Sequence, residues 1–344
     1  MKKIRVIIWG LGSMGSGMAK MIEEKPGLEI VGAIDVDPIK AGKDLGLVLG
    51  LDKKMGVTVS NNPAEVLQGE AEVALVATSS FTKEVFPQLK QACEAGLNVI
   101  SIAEEMAFPR VREPHLAERL DQIARENGVT ILGTGINPGF VLDILIITMA
   151  GVCSEVNKIR AARINDLSPF GPTVMKTQGV GTTVEEFETG VEQGTIVGHV
   201  GFPESINMIA ESLGWELDEI REVREPIISK TFRETSHVKV EPGMVAGCKH
   251  TAYGIKDGET VIILEHPQQI HPQKEGVATG DFIEIVGIPP IKMKISPEIP
   301  GGIGTMAIAV NMIAKVCQAK PGLKSMKDLP VPSPVMGDIK KMVD

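Results

Sequence analysis

The sequence predicts an α/β protein in which a doubly wound parallel sheet is joined to a second α+β domain with a mostly antiparallel sheet. Three observations predict it: an apolar run that breaks into spaced glycines over residues 4–15, alternating apolar runs and helical patterns up to residue 140, and strand-rich sequence after residue 150. The 344 residues also exceed one ordinary core. We therefore expect a dinucleotide-binding domain over residues 1–140, with residues 301–330 packing back on it, and a substrate-binding and oligomerisation domain over residues 141–300.

The first element is a strand over residues 4–9, followed by Gly10, Gly12 and Gly15 at the spacing G-x-G-x-x-G. Such glycines allow a tight turn, a close approach of the backbone to a pyrophosphate, and close packing of the next helix on the strand. Apolar side chains over residues 14–22 recur at helical spacing, so the motif has the strand and helix that it needs. The predicted cofactor contacts in this loop are Gly10, Leu11, Gly12, Ser13, Met14 and Gly15.

A second apolar run, residues 30–34, ends in Asp35, about twenty residues beyond the last glycine of the motif. An acid at this place binds the adenosine ribose hydroxyls of NAD and repels the 2′-phosphate of NADP. No arginine follows at once, so the sequence favours NAD on a Rossmann-type domain. Lys40 and Lys43 lie close enough in the sequence to leave some use of NADP open.

Two later strand ends in this domain carry further predicted cofactor contacts. The apolar strand over residues 73–78 runs into Thr78 and Ser79, which we expect at the carboxyl edge of the sheet, beside the cofactor. The strand over residues 129–132 opens into a glycine-rich loop that contains Asn137, Pro138 and Gly139. These three residues are predicted to approach the nicotinamide carboxamide; alternatively, Asn137 and Pro138 open the following helix as its N-cap and first residue.

Glu104 and Glu105 are the candidate catalytic residues. They follow the strand over residues 98–101, at the edge of the sheet where ligands of open α/β sheets bind. A carboxylate there can take a proton from a substrate ammonium or from the water that hydrolyses an imine. The alternative is a solvated acidic loop or the start of a helix.

Composition and charge exclude several other functions. The chain has 35 basic and 44 acidic side chains and a formal charge of −9, which disfavours nucleic acid and anionic membranes as partners and favours a small molecule. The four cysteines are far apart, and the sequence shows neither a signal peptide nor a membrane span, so we expect a cytoplasmic protein. No metal site is predicted, since His266 and His271 are not at ligand spacing. His199 and His237 are candidates to face the substrate cleft, but lone histidines are more often surface residues or satisfied core residues.

The second domain is predicted from short strands joined by turns, at residues 158–164, 223–231, 238–240, 250–255, 260–265 and 281–286. A helix is expected over residues 203–213, and an apolar helix over residues 306–319 in the tail.

Taken in order, the glycine motif, Asp35, the Glu104 and Glu105 pair and the loop over residues 133–140 resemble the 2,4-diaminopentanoate dehydrogenases. That family belongs with the amine dehydrogenases that are similar to dihydrodipicolinate reductase. The resemblance covers nearly the whole chain. The chain departs from dihydrodipicolinate reductase itself because it lacks that enzyme's His-His pair and downstream lysine.

The resemblance implies NAD(P)-dependent oxidative deamination of 2,4-diaminopentanoate at carbon 4, the reaction of ornithine fermentation, which gives 2-amino-4-oxopentanoate and ammonia. It also implies one catalytic glutamate, Glu104 or Glu105, and a homodimer or higher homo-oligomer. The second domain is expected to bind the amino-acid end of the diamine through Asn165, Asp166 and Thr173. Two alternatives stay open: another amine, amino-acid or homoserine-type dehydrogenase, and a non-catalytic NAD-binding sensor.

Overall fold

The computed structural model describes residues 3–339. Its contacts divide the chain into two compact units, Met1–Phe140 with Pro300–Asp344, and Val141–Ile299.

The first unit begins with alternating strands and helices. The inner strands consist of apolar residues and are buried on both faces, as in Val73–Val76, where all four residues are buried. Helix starts follow local signals. Asn62 directly precedes Pro63, the first residue of a helix, and its side chain accepts a hydrogen bond from the Ala64 N–H. In chain order the elements are β1 (Ile4–Trp9), α1 (Ser13–Glu23), β2 (Leu28–Ile34), α2 (Leu45–Val48), β3 (Val59–Ser60), α3 (Pro63–Val66), β4 (Val73–Val76), α4 (Thr82–Glu94), β5 (Asn98–Ser101), α5 (Pro114–Glu126) and β6 (Thr130–Gly133).

The second unit is built on a mixed sheet. Within the described residues its strand order is β14-β13-β7-β12-β11-β8, and only the central pair of β7 and β12 is parallel. Its elements are α6 (Ile144–Ala150), β7 (Glu155–Asp166), α7 (Pro172–Thr177), α8 (Val184–Glu192), α9 (Phe202–Leu213), β8 (Glu219–Ile228), β9 (Arg233–Glu234), β10 (Lys239–Val240), β11 (Val245–Lys256), β12 (Glu259–Gln269), β13 (Gly280–Ile288) and β14 (Ile291–Ile295).

The chain then returns to the first unit through α10 (Gly301–Asn311), α11 (Ile313–Gln318) and β15 (Gly322–Lys324). Helix α10 packs on α1, where a side chain at Gly17 would collide with Met306. Strand β15 pairs in parallel with β6 and completes the order β15-β6-β5-β4-β1-β2-β3 among the described residues. The sequence did not predict β15, because three residues are too few to show a period.

The predicted fold class is confirmed: a parallel doubly wound sheet and a second, mostly antiparallel sheet are both present. Within residues 3–339, no helix has the length and apolar character needed to cross a membrane.

Candidate active site

The glycine turn between β1 and α1 has the geometry that its sequence predicts. Gly10 has a φ of 95°, and a side chain there would collide with the Ala77 carbonyl. A side chain at Gly15 would collide with the Gly10 carbonyl, so helix and strand pack as closely as glycine permits. Gly12, the N-cap of α1, faces open space instead, and the first turn of the helix carries no acid. Leu11 is buried, Ser13 is exposed and Met14 is half-buried.

Asp35 follows β2 directly and lies beside this turn. One of its oxygens accepts the Leu11 N–H at 2.7 Å and the Lys40 ammonium at 3.1 Å, and the other accepts the Asp37 N–H at 2.8 Å. Burial alone would raise the pKa of Asp35, but these donors together hold it below its usual value. The carboxylate is therefore ionised and tied to the glycine turn.

The predicted contacts after β4 and β6 lie at the same edge of the sheet, because all these strands are parallel. The Thr78 hydroxyl donates a hydrogen bond to Gln88 of α4, and the Ser79 hydroxyl donates to Glu84 in the first turn of that helix. Pro138 and Gly139 are buried and Asn137 is half-buried, with a cis peptide bond between Asn137 and Pro138. The next helix, α6, is capped by Asp143, so the alternative of Asn137 as its N-cap is wrong.

The glycine loop that holds Asn137 is fixed by its neighbours in the first unit. The Thr134 N–H donates to the Ser101 carbonyl at 2.9 Å, and the Ile136 N–H donates to the Thr305 hydroxyl of α10 at 3.1 Å. A side chain at Gly133 would collide with the Met106 carbonyl. The loop thus packs directly on the short segment that carries the two glutamates.

Glu104 and Glu105 begin a 3₁₀ turn, Glu104–Ala107, just after β5. The Glu105 carboxylate is buried and accepts the N–H of Thr82, the first residue of α4, at 2.8 Å. The residue before Thr82 is Phe81, whose side chain cannot cap a helix, so Glu105 does so from a distant part of the chain.

The Glu104 side chain has different surroundings. It is half-buried and accepts hydrogen bonds from the Ser80 hydroxyl and from its own N–H. Burial raises the pKa of Glu104 above its usual value, the Glu105 charge adds to that rise, and the Ser80 hydroxyl offsets only part of it. A carboxylate with a raised pKa at the carboxyl edge of a parallel sheet is suited to accept a proton near neutral pH.

Three of the four cysteines are unsuited to act as nucleophiles. Burial raises the pKa of the Cys93, Cys248 and Cys317 thiols to about 12, so they are protonated at neutral pH. Among the described residues, no group of three or more histidine, cysteine or acidic side chains could hold a metal ion.

The second unit contains a buried cluster of polar residues. It lies on the buried face of the sheet, the face to which Ile159 and Ala161 of β7 also contribute. Its members are Arg163 and Asn165 of β7, His250 of β11, His266 of β12, and His199. Strand register brings them together, since His250 pairs with His266 and Arg163 pairs with Asp281 of β13. The Arg163 guanidinium bonds to the Asp281 carboxylate at 2.6 Å.

His199 is held by the segment on which it lies. The Val197 carbonyl accepts Arg224 Nε at 2.6 Å, the Gly198 carbonyl accepts Gln178 Nε2 at 2.7 Å, and the His199 N–H donates to His250 Nδ1 at 3.0 Å. Since His250 Nδ1 is an acceptor, its Nε2 carries the proton and faces Glu222 at 2.9 Å. This fixes the segment and the place of the His199 ring.

In this cluster, His199 Nε2 and Asn165 Oδ1 are buried and have no hydrogen-bond partner among the described residues. Burial, with help from the charge field of His250 and of Arg163, lowers the pKa of His199 well below its usual value, so the ring is neutral. Buried polar atoms are costly unless they are paired, and a ligand is one way to pair them.

The other two predicted substrate residues lie elsewhere in the second unit. Asp166 accepts hydrogen bonds from Ser168 and from the His271 N–H, which shapes its own loop, and Thr173 is exposed on α7. His199, Arg163 and His266 were missed as a group, because they are far apart in the sequence and only strand register unites them.

Family models match both parts of the chain. The model described as the 2,4-diaminopentanoate dehydrogenase C-terminal domain matches residues 140–344, and the model described as the dihydrodipicolinate reductase N-terminus matches residues 4–102.

Individual relatives agree. The chain is 48% identical over 350 residues to a 2,4-diaminopentanoate dehydrogenase of Acetoanaerobium sticklandii, covering 100% of this chain and 98% of the relative. It is 27% identical to an amine dehydrogenase of Streptomyces virginiae, covering 95% and 96%. The solved amine dehydrogenase of Mycobacterium smegmatis has a TM-score of 0.85 and 28% identity, covering 97% and 98%. GenD2 in complex with NAD, with a TM-score of 0.57, 14% identity and coverage of 95% and 90%, shows the fold alone.

Proposed function

Since the chain belongs to the 2,4-diaminopentanoate dehydrogenase family, we propose that it oxidises 2,4-diaminopentanoate at carbon 4. The substrate ammonium, NAD⁺ and water give 2-amino-4-oxopentanoate, ammonium, NADH and one proton. The family resemblance found in the sequence is confirmed, and so is the prediction of a dehydrogenase that acts on an amine group. We further propose that the reaction takes place in the cytoplasm and serves amino-acid degradation, as the step in ornithine fermentation that the sequence resemblance implies.

The observation that carries the mechanism is the difference between the two glutamates. We assign proton transfer to Glu104, because its carboxylate has a raised pKa and is not used to cap a helix. Glu105 is committed to the Thr82 N–H.

Glu104 first takes a proton from the C4 ammonium, which leaves a neutral amine whose lone pair expels the C4 hydrogen as hydride and forms a C4=N bond. A bound nicotinamide supplies the hydride acceptor. Glu104 releases this first proton to solvent, which accounts for the one proton among the products. The carboxylate then takes one proton from the water that attacks C4 and returns it to the nitrogen of the resulting carbinolamine. As ammonia leaves, Glu104 takes the hydroxyl proton and passes it to the ammonia, which gives ammonium. The raised pKa suits both the uptake and the return of a proton.

The cofactor that fits the first unit is NAD. Gly12 leaves open space at the free N–H groups of α1, where a pyrophosphate binds, and the ionised Asp35 is placed for the ribose hydroxyls. The remaining predicted contacts are Thr78, Ser79, Asn137, Pro138 and Gly139. We propose that NAD is preferred and that NADP is accepted more weakly.

The second unit is proposed to bind the amino-acid end of the diamine. The unpartnered Asn165 Oδ1 is an acceptor for the C2 ammonium, and His199 Nε2, when it carries the ring proton of the neutral imidazole, is a donor for the carboxylate. Asp166 and Thr173 stay predictions.

The other face of the second unit's sheet is proposed to pair with a second copy of the chain. It carries charged pairs of both signs, such as Lys292 with Glu284 at 2.7 Å and Arg160 with Glu265 at 2.8 Å, around a groove of about 550 Å³. Exposed apolar residues, including Val286 and Ile288, accompany them. Charges of both signs beside apolar side chains make a self-complementary surface. Sedimentation of the wild type and of Val286→Glu tests this: a dimer that the variant dissociates supports it, and a monomeric wild type contradicts it.

The reaction is tested by incubating the protein with NAD⁺ and 2,4-diaminopentanoate carrying deuterium at C4 or at C2. We expect reduced nicotinamide that contains deuterium only with the C4-labelled substrate, together with one ammonium per NADH. Deuterium from C2 would assign the chain to an α-amino-acid dehydrogenase instead. Cofactor binding without turnover of any amine, amino acid or homoserine would indicate a sensor.

A further inference from the structure

We infer that Lys40 determines how the chain discriminates between NAD and NADP, because it is the side chain that a ribose 2′-phosphate would draw away from Asp35. This inference rests on the proposed cofactor, and its test does not need the proposed reaction.

The Asp35 carboxylate is only 8% exposed and has three donors. Two are backbone N–H groups, of Leu11 in the glycine turn and of Asp37, and these are fixed by the fold. The third is the Lys40 ammonium, which is the only one of the three that can move.

The Lys40 ammonium lies between two carboxylates, 3.1 Å from Asp35 and 3.5 Å from Asp37. Its side chain is 27% exposed, so part of it faces solvent. The positive charge of Lys40 therefore lies beside the acid that we propose for the ribose hydroxyls, and it reduces the repulsion that Asp35 alone would exert on a 2′-phosphate.

The two cofactors make different demands on this arrangement. A ribose 2′-hydroxyl can donate to Asp35 while Lys40 stays in place. A 2′-phosphate cannot donate and repels Asp35, so it binds only if Lys40 turns toward it, which costs the ion pair with Asp35. NADP should then bind more weakly than NAD, and what affinity it has should depend on Lys40.

Lys43 provides a matched control. It lies three residues further along the same segment, is exposed, and is not among the partners of Asp35. Lys40→Met and Lys43→Met remove the same charge from the same region, so a general field effect would appear equally in both.

The experiment measures the Kd of NADH and of NADPH by nicotinamide fluorescence, without diamine, for the wild type, Lys40→Met, Lys43→Met and Lys40→Arg. We expect the wild type to bind both cofactors, and Lys40→Met to weaken NADPH about tenfold or more while NADH changes little. Lys43→Met should leave both nearly unchanged, and Lys40→Arg should retain NADPH binding.

Three results would overturn the inference: no NADPH binding by the wild type, equal losses in Lys40→Met and Lys43→Met, or tighter NADPH binding by Lys40→Met. A protein that binds both cofactors as expected but oxidises no diamine would contradict the proposed reaction and leave the role of Lys40 supported. Thermal unfolding of each variant shows whether it is folded.

Discussion

Two sets of buried polar residues, one in each unit, differ in how their polar atoms are paired. At the sheet edge of the first unit, Asp35 and Glu105 are buried acids whose oxygens accept nearby backbone N–H groups. In the second unit, Asn165 and His199 each bury a polar atom that has no partner among residues 3–339. The two acids are paired within the protein, whereas the polar atoms of Asn165 and His199 are the ones that we propose a ligand pairs. A buried polar side chain therefore points to a ligand only when no neighbouring group in the protein pairs its polar atom.

The comparison predicts that removing an unpartnered polar atom harms binding more than stability. In Asn165→Leu, a similar volume replaces the orphan amide, so the free energy of unfolding should stay equal or rise. The KM for 2,4-diaminopentanoate should increase about ten- to a hundredfold, because the C2 ammonium loses its acceptor.

Ser205→Ala is the control within the same unit, since its hydroxyl donates to the buried Asp143 carboxylate at 2.8 Å. We expect denaturant unfolding to show a loss of about 1 kcal/mol with an unchanged KM. If Asn165→Leu instead unfolds more easily and binds substrate normally, the cluster is structural and the contrast fails.

The neighbouring glutamates should change stability in opposite directions. Glu105→Gln weakens the interaction of a buried charge with the start of α4 and should lower the free energy of unfolding by about 1 kcal/mol. The pKa of Glu104 is higher in the folded protein than in the unfolded chain. Its contribution to the free energy of unfolding is therefore fully present below the pKa of the unfolded chain, and it is lost as the pH rises through the pKa of the folded protein. Glu104→Gln should therefore stabilise the protein at neutral pH and not in acid. Urea titrations at both pH values measure these differences, and two changes of the same sign at neutral pH would refute them.

A smaller effect is expected from Ser80→Ala. The Ser80 hydroxyl lowers the pKa of Glu104, so its loss should raise that pKa further. Since the ionised carboxylate accepts the proton, the acid limb of kcat/KM should move to higher pH in Ser80→Ala. The reference is Ser212→Ala, whose hydroxyl donates to the Met208 carbonyl within α9 and does not contact Glu104. Equal profiles for wild type and Ser80→Ala would show that Glu104 does not govern this limb.

The sequence predicts the candidate site of the first unit better than the polar cluster of the second. The glycine turn, Asp35 and the glutamate pair are local signals at strand ends, and parallel strands bring such ends to one edge whatever the details of packing. The sequence left Glu104 and Glu105 equivalent, because only the fold shows that Thr82 N–H reaches Glu105. A signal was present in Phe81, a residue that cannot cap the helix it precedes.

The second unit was predicted as strands but not as a site. In the sequence, His199 is a lone histidine. In the structure, His250 and His266 are paired on neighbouring antiparallel strands, and the His199 N–H donates to His250. Hydrogen bonds from Arg224 and Gln178 hold the loop that carries His199. Strands β7 and β12 pair with each other although they are about a hundred residues apart in the chain. No local sequence pattern specifies the register of such a pair, so the sequence does not show that Arg163 and His266 belong to one cluster.

The most direct test of the account compares kcat/KM for 2,4-diaminopentanoate in Glu104→Gln and Glu105→Gln, with NADH affinity measured in both. We predict that Glu104→Gln loses about a hundred- to ten-thousandfold while binding NADH normally, and that folded Glu105→Gln stays within about tenfold of the wild type. A Glu104→Gln enzyme that retains its activity, or a folded Glu105→Gln enzyme that loses as much as Glu104→Gln, would contradict the assignment of Glu104 as the proton acceptor.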